Sequence, residues 1–361
     1  MVSGITRACP DCETILLPMA DGGEGTVDAL VYSTGGRTLT TEVTGPLGDR
    51  VAASWGILGD GTTGVVEMAA ASGLALVHPD KMDPLAATTF GTGELVLAAL
   101  DAGCRHLIIG IGGSATNDGG AGMAQALGAR LTDQDGQALE PGGAALARLV
   151  RIDTSGMDSR LADCTVTVAS DVTNPLCGEQ GASWIYGPQK GATEEMCRRL
   201  DQALANYAAV ITRDLGIDVA GIPGAGAAGG LGAGLLAFLG ATIVPGIDII
   251  SEAVGLPGHL AKADLVFTGE GRLDEQTLFG KTVAGVAARA KSAGVPVIVI
   301  AGEVLHDLAE LHRHGVAAAL SIAPGPVSLE ELQQAAAELI AAAAEEAMRL
   351  LLTGATLRRT S

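Results

Sequence analysis

The sequence predicts an α/β protein of two domains, one inserted into the other. Three observations carry that reading. The chain has 361 residues, and at roughly 100–200 residues per domain two domains are the natural division. Beyond Lys262, apolar β-branched runs alternate regularly with helical segments, the pattern of a parallel sheet with crossover helices. Before it, short alternating segments separated by turn signals read as an antiparallel meander, which calls for a second, mixed sheet. A hydrophobic share of 48% against 17% charged residues supplies two cores and excludes intrinsic disorder.

In chain order, Glu13–Pro18 (ETILLP) is a short apolar run expected as the first buried strand, followed by the loop Met19–Thr26 and a helix over Val27–Ser33. Strands are expected at Arg37–Val43, Arg50–Leu58 and Gly64–Met68, parted by Gly45-Pro46-Leu47-Gly48 and Gly59-Asp60-Gly61. A helix over Gly91–Ala102, a strand at His106–Gly110 and a helix ending at Leu127 come next. Cys164–Ala169 reads as a strand, Glu194–Arg213 as a long helix and Leu231–Leu239 as a buried one. The closing part reads strand Leu265–Thr268, helix Thr282–Ala293, strand Pro296–Ala301, helix Leu305–His314, strand Ala317–Ile322 and helix Leu329–Leu352. The isolated first strand finds neighbours only if both chain ends share one sheet. The expected architecture is therefore a discontinuous parallel-sheet, Rossmann-like domain at 1–38 and 256–361, with a mixed α/β domain inserted at 39–255.

Composition narrows the function. With 41 acidic and 22 basic residues the formal charge is −19, so nothing neutralises a phosphate backbone. Two tryptophans, three tyrosines and four phenylalanines leave little for stacking nucleobases along a strand. Nucleic acid is excluded as a partner. Val219–Ile247 lacks charged side chains but is broken by glycines and by Pro223 and Pro245, so it reads as a loop feeding a buried helix and not as a membrane span. The start carries no long apolar segment of a signal peptide, and a cytoplasmic protein is expected. The six cysteines, including Cys9 and Cys12 in C-x-x-C, are too sparse for a disulfide framework and read as incidental. None of the six histidines has metal-ligand spacing.

Four glycine-rich loops concentrate the chemistry: Ala20–Thr26, Gly110–Gly120 (GIGGSATNDGG), Gly224–Gly232 (GAGAAGGLG) and Thr268–Lys281 (TGEGRLDEQTLFGK). Glycine lets backbone N–H groups approach a ligand, and a following helix offers its partly positive end to an anion. Gly224, Gly226 and Gly229 fit G-x-G-x-x-G, but Pro223 stands where the dinucleotide motif wants a clean strand. Gly280-Lys281-Thr282 ends like a P-loop, but Glu275 occupies the position of its first glycine. Ser170-Asp171-Val172-Thr173-Asn174-Pro175 places a carboxylate beside an amide after a strand, suited to Mg²⁺ or equally to an Asx turn. There are only five lysines, so Lys281 beside Gly280 stands out.

Together these strings resemble the type I glycerate kinase family. The resemblance rests on PMADGGEGT (18–26), GPLG (45–48), TTFGTGEL (88–95), GIGGSATNDGGAG (110–122), SDVTNPLCG (170–178), GPQKGA (187–192), GAGAAGGLG (224–232) and TGEGRLDEQTLFGK (268–281). It runs in order through essentially the whole chain. It implies ATP-dependent phosphorylation of D-glycerate, with 2-phosphoglycerate the favoured product, by two α/β domains facing a cleft. The family's usual opening, a strand and loop of the type I-A-P-D-S-F-K-G-S and half of the following helix, has no counterpart here. The expectation is that the chain as given is poorly soluble or weakly active and is helped by an upstream segment.

On this reading Gly112, Gly113, Ser114, Thr116 and Asn117, with Gly224, Gly226, Gly229 and Gly230, hold the phosphates of ATP. Asp171 and Asp118 are the expected Mg²⁺ ligands. Asp21, Glu24, Arg272 and Gln276 are expected to bind glycerate. Asp274 is expected to take the proton of the attacking hydroxyl, and Lys281 to stabilise the phosphoryl group, with Arg272 gripping the carboxylate. A non-catalytic sugar-acid-binding protein and a nicotinamide-dependent oxidoreductase are the competing readings, and a homo-oligomer is left open.

Overall fold

The computed structural model describes residues 1–20, 22–273, 282–304, 308–325 and 327–358. The chain divides into two compact units, an outer one of Met1–Leu17 with Gly255–Ser361 and an inner one of Pro18–Val254. The insertion begins at 17/18, earlier than the expected 38/39, because helix Thr26–Thr34 packs on strands of the inner unit.

The inner unit is built on a six-stranded mixed sheet. Its strands are β1 (Arg37–Thr44), β2 (Arg50–Ile57), β3 (Thr63–Glu67) and β4 (His106–Gly110). A separate two-stranded antiparallel pair, β5 (Arg130–Thr132) and β6 (Arg151–Asp153), precedes the remaining members, β7 (Thr165–Ala169) and β8 (Thr242–Val244). The order is β1-β2-β3-β4-β7-β8. The first three strands are antiparallel neighbours, as the turn signals predict. From β3 onward the neighbours are parallel. Ile109 of β4, Val168 of β7 and Leu95 of helix Phe90–Asp101 join the fully buried core between sheet and helices. A second core packs Leu204, Tyr207 and Ile211 of helix Glu194–Leu215 against Leu131 and Ile152. The long helix starts at Thr193, whose hydroxyl accepts from the Met196 N–H, and stops at left-handed Gly216.

The outer unit holds three parallel strands, β9 (Val266–Leu273), β10 (Val297–Val304) and β11 (Val316–Ser321), in the order β11-β10-β9. Helices Thr282–Ser292 and Ala309–Arg313 connect them. The closing helix is divided into Leu329–Gln334, which opens on a Ser328/Glu331 capping box, and Ala336–Arg358.

Three expectations are corrected here. Glu13–Pro18 is not a strand, and Ile15 and Leu16 are 55% and 71% exposed. The run is too short to bury itself without a paired neighbour, and the chain ends meet as helices instead of strands. Helix Val2–Ala8 packs on Ala336–Arg358, with the Arg7 guanidinium 2.6 Å from Glu345. Cys9 and Cys12 are not free: they close a disulfide just after that helix, with Cα atoms 5.5 Å apart. Third, Thr268–Leu273 continues β9 where a loop was expected, because Arg272 and Leu273 stay in register with Glu303 and Val304 of β10. No helix among the described residues is long and apolar enough to cross a membrane.

Gly4 marks how closely the terminal helices approach. A Cβ there would stand 1.9 Å from the Ala341 carbonyl oxygen, and the helix backbone cannot yield cheaply. Helix propensity alone makes Gly→Ala favourable by about 1 kcal/mol, whereas overpacking costs about 1–3 kcal/mol. Packing should win. Gly4→Ala is expected to lower the thermal midpoint and speed amide exchange in residues 2–8; a raised midpoint would show that the two helices are not held at this distance.

Candidate active site

Three of the four loops singled out by sequence, those at 20–26, 110–120 and 224–232, lie within the inner unit, and the fourth belongs to the outer one. β3, β4, β7 and β8 run parallel, and the segments at 68–73, 110–120, 170–176 and 245–246 leave from their carboxyl ends, where α/β sheets bind ligands. The loop before helix Thr26–Thr34 joins them. Gly112 N–H donates to the Gly22 carbonyl at 3.3 Å. Glu67, at the end of β3, accepts from the Val27 N–H at 2.7 Å and so anchors the helix start. Burial pushes its carboxyl up, aided by the charges of Asp28 and Glu24.

The Gly110–Gly120 loop is tied down by a buried polar knot. Asp118 is 0% exposed. Its carboxylate accepts from the Thr89 N–H at 2.8 Å and the Thr89 hydroxyl at 2.9 Å. It also accepts from the Gly120 and Gly122 N–H groups at 3.1 and 3.2 Å. The Thr89 hydroxyl in turn accepts from the Met123 N–H. Lys190 is buried too, at 1% exposure, and its ammonium donates to the Thr116 carbonyl at 2.6 Å. Asn117 donates to the Ser183 hydroxyl at 2.9 Å, while Thr116 Oγ1, Asn117 Oδ1 and Tyr207 Oη have no hydrogen-bond partner among the described residues. Desolvation pushes the Asp118 carboxyl up and pulls the Lys190 ammonium down to about 7, against the Asp118 charge that holds it protonated.

These positions correct parts of the sequence expectation. Asp118 is a buried strut whose carboxylate is engaged by loop and helix donors; a metal ion would have to displace them. Gly226 and Gly230 were expected to offer their N–H groups to phosphate. Gly226 instead donates to the Asn174 carbonyl at 3.0 Å and Gly230 to the Ala227 carbonyl at 3.1 Å. Gly229 sits at φ +67° with its Cβ direction 2.0 Å from the Thr116 oxygen, and its own carbonyl accepts from the Gly119 N–H. This loop is the packing partner of the first one. No strand leads into it, since irregular chain follows helix Glu194–Leu215, and the dinucleotide fingerprint at Gly224, Gly226 and Gly229 therefore lacks its βαβ setting. The accessible part of the 110–120 loop is half-buried Gly112 and exposed Gly113, ahead of buried Ser114.

Asp171 is half-buried, and its Oδ1 accepts from the Gly246 N–H at 3.2 Å, at the start of helix Gly246–Ala253. Asn174 is committed locally, accepting from Tyr186 Oη at 2.7 Å and donating to the Gln180 carbonyl. Glu24 is exposed. Arg272 belongs to the outer unit and pairs with Glu303 at 3.3 Å. Asp21, Asp274, Gln276 and Lys281 lie outside the described residues. No cluster of three His, Cys, Asp or Glu side chains suited to a metal occurs among the described residues, and a Mg²⁺ ion held by one carboxylate and substrate phosphates needs none. Sequence reasoning missed Lys190, Glu67 and Thr89. The scarcity of lysine was the signal for the first, but it directed attention to Lys281.

The model of the glycerate kinase family matches residues 1–352. The chain is 51% identical to the glycerate 2-kinase of Escherichia coli K12, covering 97% of this chain and 92% of that one. It is 55% identical to the glycerate kinase of Bacillus subtilis 168, covering 93% and 88%. A crystal structure of a Salmonella typhimurium LT2 protein assigned as a glycerate kinase 2 superposes with a TM-score of 0.85 at 51% identity, covering 99% of this chain and 93% of that one.

The buried lysine makes a pH prediction. Its folded value lies near 7, whereas a solvated lysine titrates at about 10.4. Between these values the unfolded chain binds the extra proton, so the lysine's contribution to stability rises with pH and is at its lowest below 7. The stability difference between wild type and Lys190→Met should move in favour of wild type by about 1 kcal/mol per pH unit from pH 7 to 9. Urea unfolding of both proteins across that range measures it, and a difference independent of pH would mean that Lys190 titrates normally.

Proposed function

The chain belongs to the glycerate kinase family, and from that premise we propose that it transfers the γ-phosphoryl group of ATP to a hydroxyl of D-glycerate, favouring 2-phosphoglycerate. The observation that carries this reading is the 51% identity, over 97% of the chain, to a protein named glycerate 2-kinase. Phosphoryl transfer asks a protein for positioning and charge neutralisation, with little covalent chemistry. The residues supply both. The accessible Gly112–Gly113 stretch receives the triphosphate, backed by Ser114, Thr116 and Asn117. Arg272 exchanges its pairing with Glu303 for the glycerate carboxylate, a bidentate match to its planar fork. Glu24, Asp21 and Gln276 orient the hydroxyls. Asp274 takes the proton of the attacking hydroxyl as the new P–O bond forms and ADP departs. Lys281 holds a compact positive charge against the transferring group.

Mg²⁺ suits the hard oxygen of Asp171, a half-buried carboxylate at a strand end, and when bound it supplies positive charge to the phosphates.

The direct test is ADP release in a coupled assay with ATP, Mg²⁺ and D-glycerate, with the phosphate position read by ³¹P NMR. ADP release with a 2-phosphoglycerate signal is expected. Glycerate binding without ADP release would favour a binding protein, and a 3-phosphoglycerate signal would overturn the regiochemistry. Within an active enzyme, Lys281→Ala should lower kcat by on the order of 10²-fold, the scale of losing one preorganised electrostatic donor. Lys281→Arg should recover only part of it, since a planar fork does not replace an ammonium. An unchanged kcat in Lys281→Ala would remove the lysine from the chemistry.

A further inference from the structure

A cavity of about 300 Å³ opens in the inner unit beside the β1–β2 turn, lined by Thr44, Leu47, Ala86, Thr88, Phe90 and Pro141 among others. It is built from two of the strings that the phosphate and glycerate contacts leave unused, GPLG at 45–48 and the start of TTFGTGEL at 88–95. The two are fastened together, because the Thr88 N–H donates to the Pro46 carbonyl at 2.9 Å. Of its lining residues, Leu47 is 40% exposed and Phe90 is half-buried. No charged side chain lines the cavity among the described residues.

That chemistry discriminates between the parts of the two substrates. A carboxylate or a phosphate needs cations or convergent N–H donors, and buried without them it is strongly disfavoured. The nucleobase is flat, uncharged at neutral pH and mostly apolar on its faces, and aromatic and aliphatic walls are what it wants. The cavity is tied to the Gly110–Gly120 loop, since the hydroxyl of its lining residue Thr88 donates to Asp118 of that loop at 3.5 Å. A ligand spanning the cavity and that loop therefore needs an apolar ring at one end and anionic groups at the other.

We propose that this cavity seats the adenine base of the nucleotide, with Leu47, Phe90 and Pro141 as its apolar walls. The assignment rests on the ATP-dependent reading above, and the experiment separates the two. Leu47→Glu alters an exposed lining residue outside both cores, and Ala86→Glu, also exposed, serves as a second variant should the first fold poorly. Adenosine binding to the full chain is followed by saturation-transfer NMR, together with steady-state kinetics and inhibition by inorganic triphosphate, which lacks a base. Adenosine is expected to bind wild type and to be lost in Leu47→Glu. KM for ATP should rise about tenfold or more, with KM for glycerate, kcat and triphosphate inhibition unchanged. An unchanged KM for ATP, or triphosphate inhibition weakened in step with it, would overturn the assignment and leave the kinase reading standing. Loss of adenosine binding in the variants of a wild type that releases no ADP would do the reverse. An apolar peptide side chain as the true occupant would show as no adenosine signal in wild type.

Discussion

A carboxylate sealed from water governs the inner unit. Asp118 is held by donors from two places, the start of helix Phe90–Asp101 and the start of helix Ala121–Ala126. Moving an isolated ionised carboxylate into an apolar interior is prohibitive, so the group persists only while its donors stay in place. The loop between β4 and the following helix inherits that rigidity. Lys190 adds a second tie through the Thr116 carbonyl, and the Gly224–Gly230 segment closes over the same backbone.

The arrangement explains why so many glycines crowd one end of the sheet without all facing a ligand. Backbone packed against backbone needs positions with no side chain, and the segment at 224–230 meets the 110–120 loop in that way. The N–H groups of Ala225, Gly226, Ala227 and Gly230 satisfy carbonyls within the protein, as buried backbone must. Glycine richness marked one end of the sheet but conflated two uses. One loop keeps Gly112 and Gly113 at the surface, and the other holds the first in shape.

Elements with a strong local pattern were legible in the sequence. β4 and helix Leu231–Leu239 occupy the residues their apolar runs predict, and the β1–β3 meander follows its turn signals. The family and the α/β class were legible because the glycine strings are long and unusual. Glu13–Pro18 failed because four apolar residues look the same in an exposed linker as in a strand, and only a partner decides. β9 outran its prediction because Gly269, Glu270, Gly271 and Arg272 have poor strand propensity, overridden by their ladder with β10. The burial of Lys190 had no local signature at all. A lysine between glutamine and glycine reads as surface, and its depth comes from contacts with residues 74 positions earlier.

The interrupted outer unit has a consequence for the order of events on the ribosome. Arg7 and its partner Glu345 are separated by 338 positions. The inner unit's residues end at Val254, before any strand of the outer sheet has been made. With domains folding as units during synthesis, and chain growth at about 5–20 residues per second, helix Val2–Ala8 waits on the order of tens of seconds for its partner. Through that interval its apolar face, including Ile5, has no native surface to cover it. Helix Val2–Ala8 is thus among the last elements to be secured, and it stays open to chaperones and proteases until its partner is made.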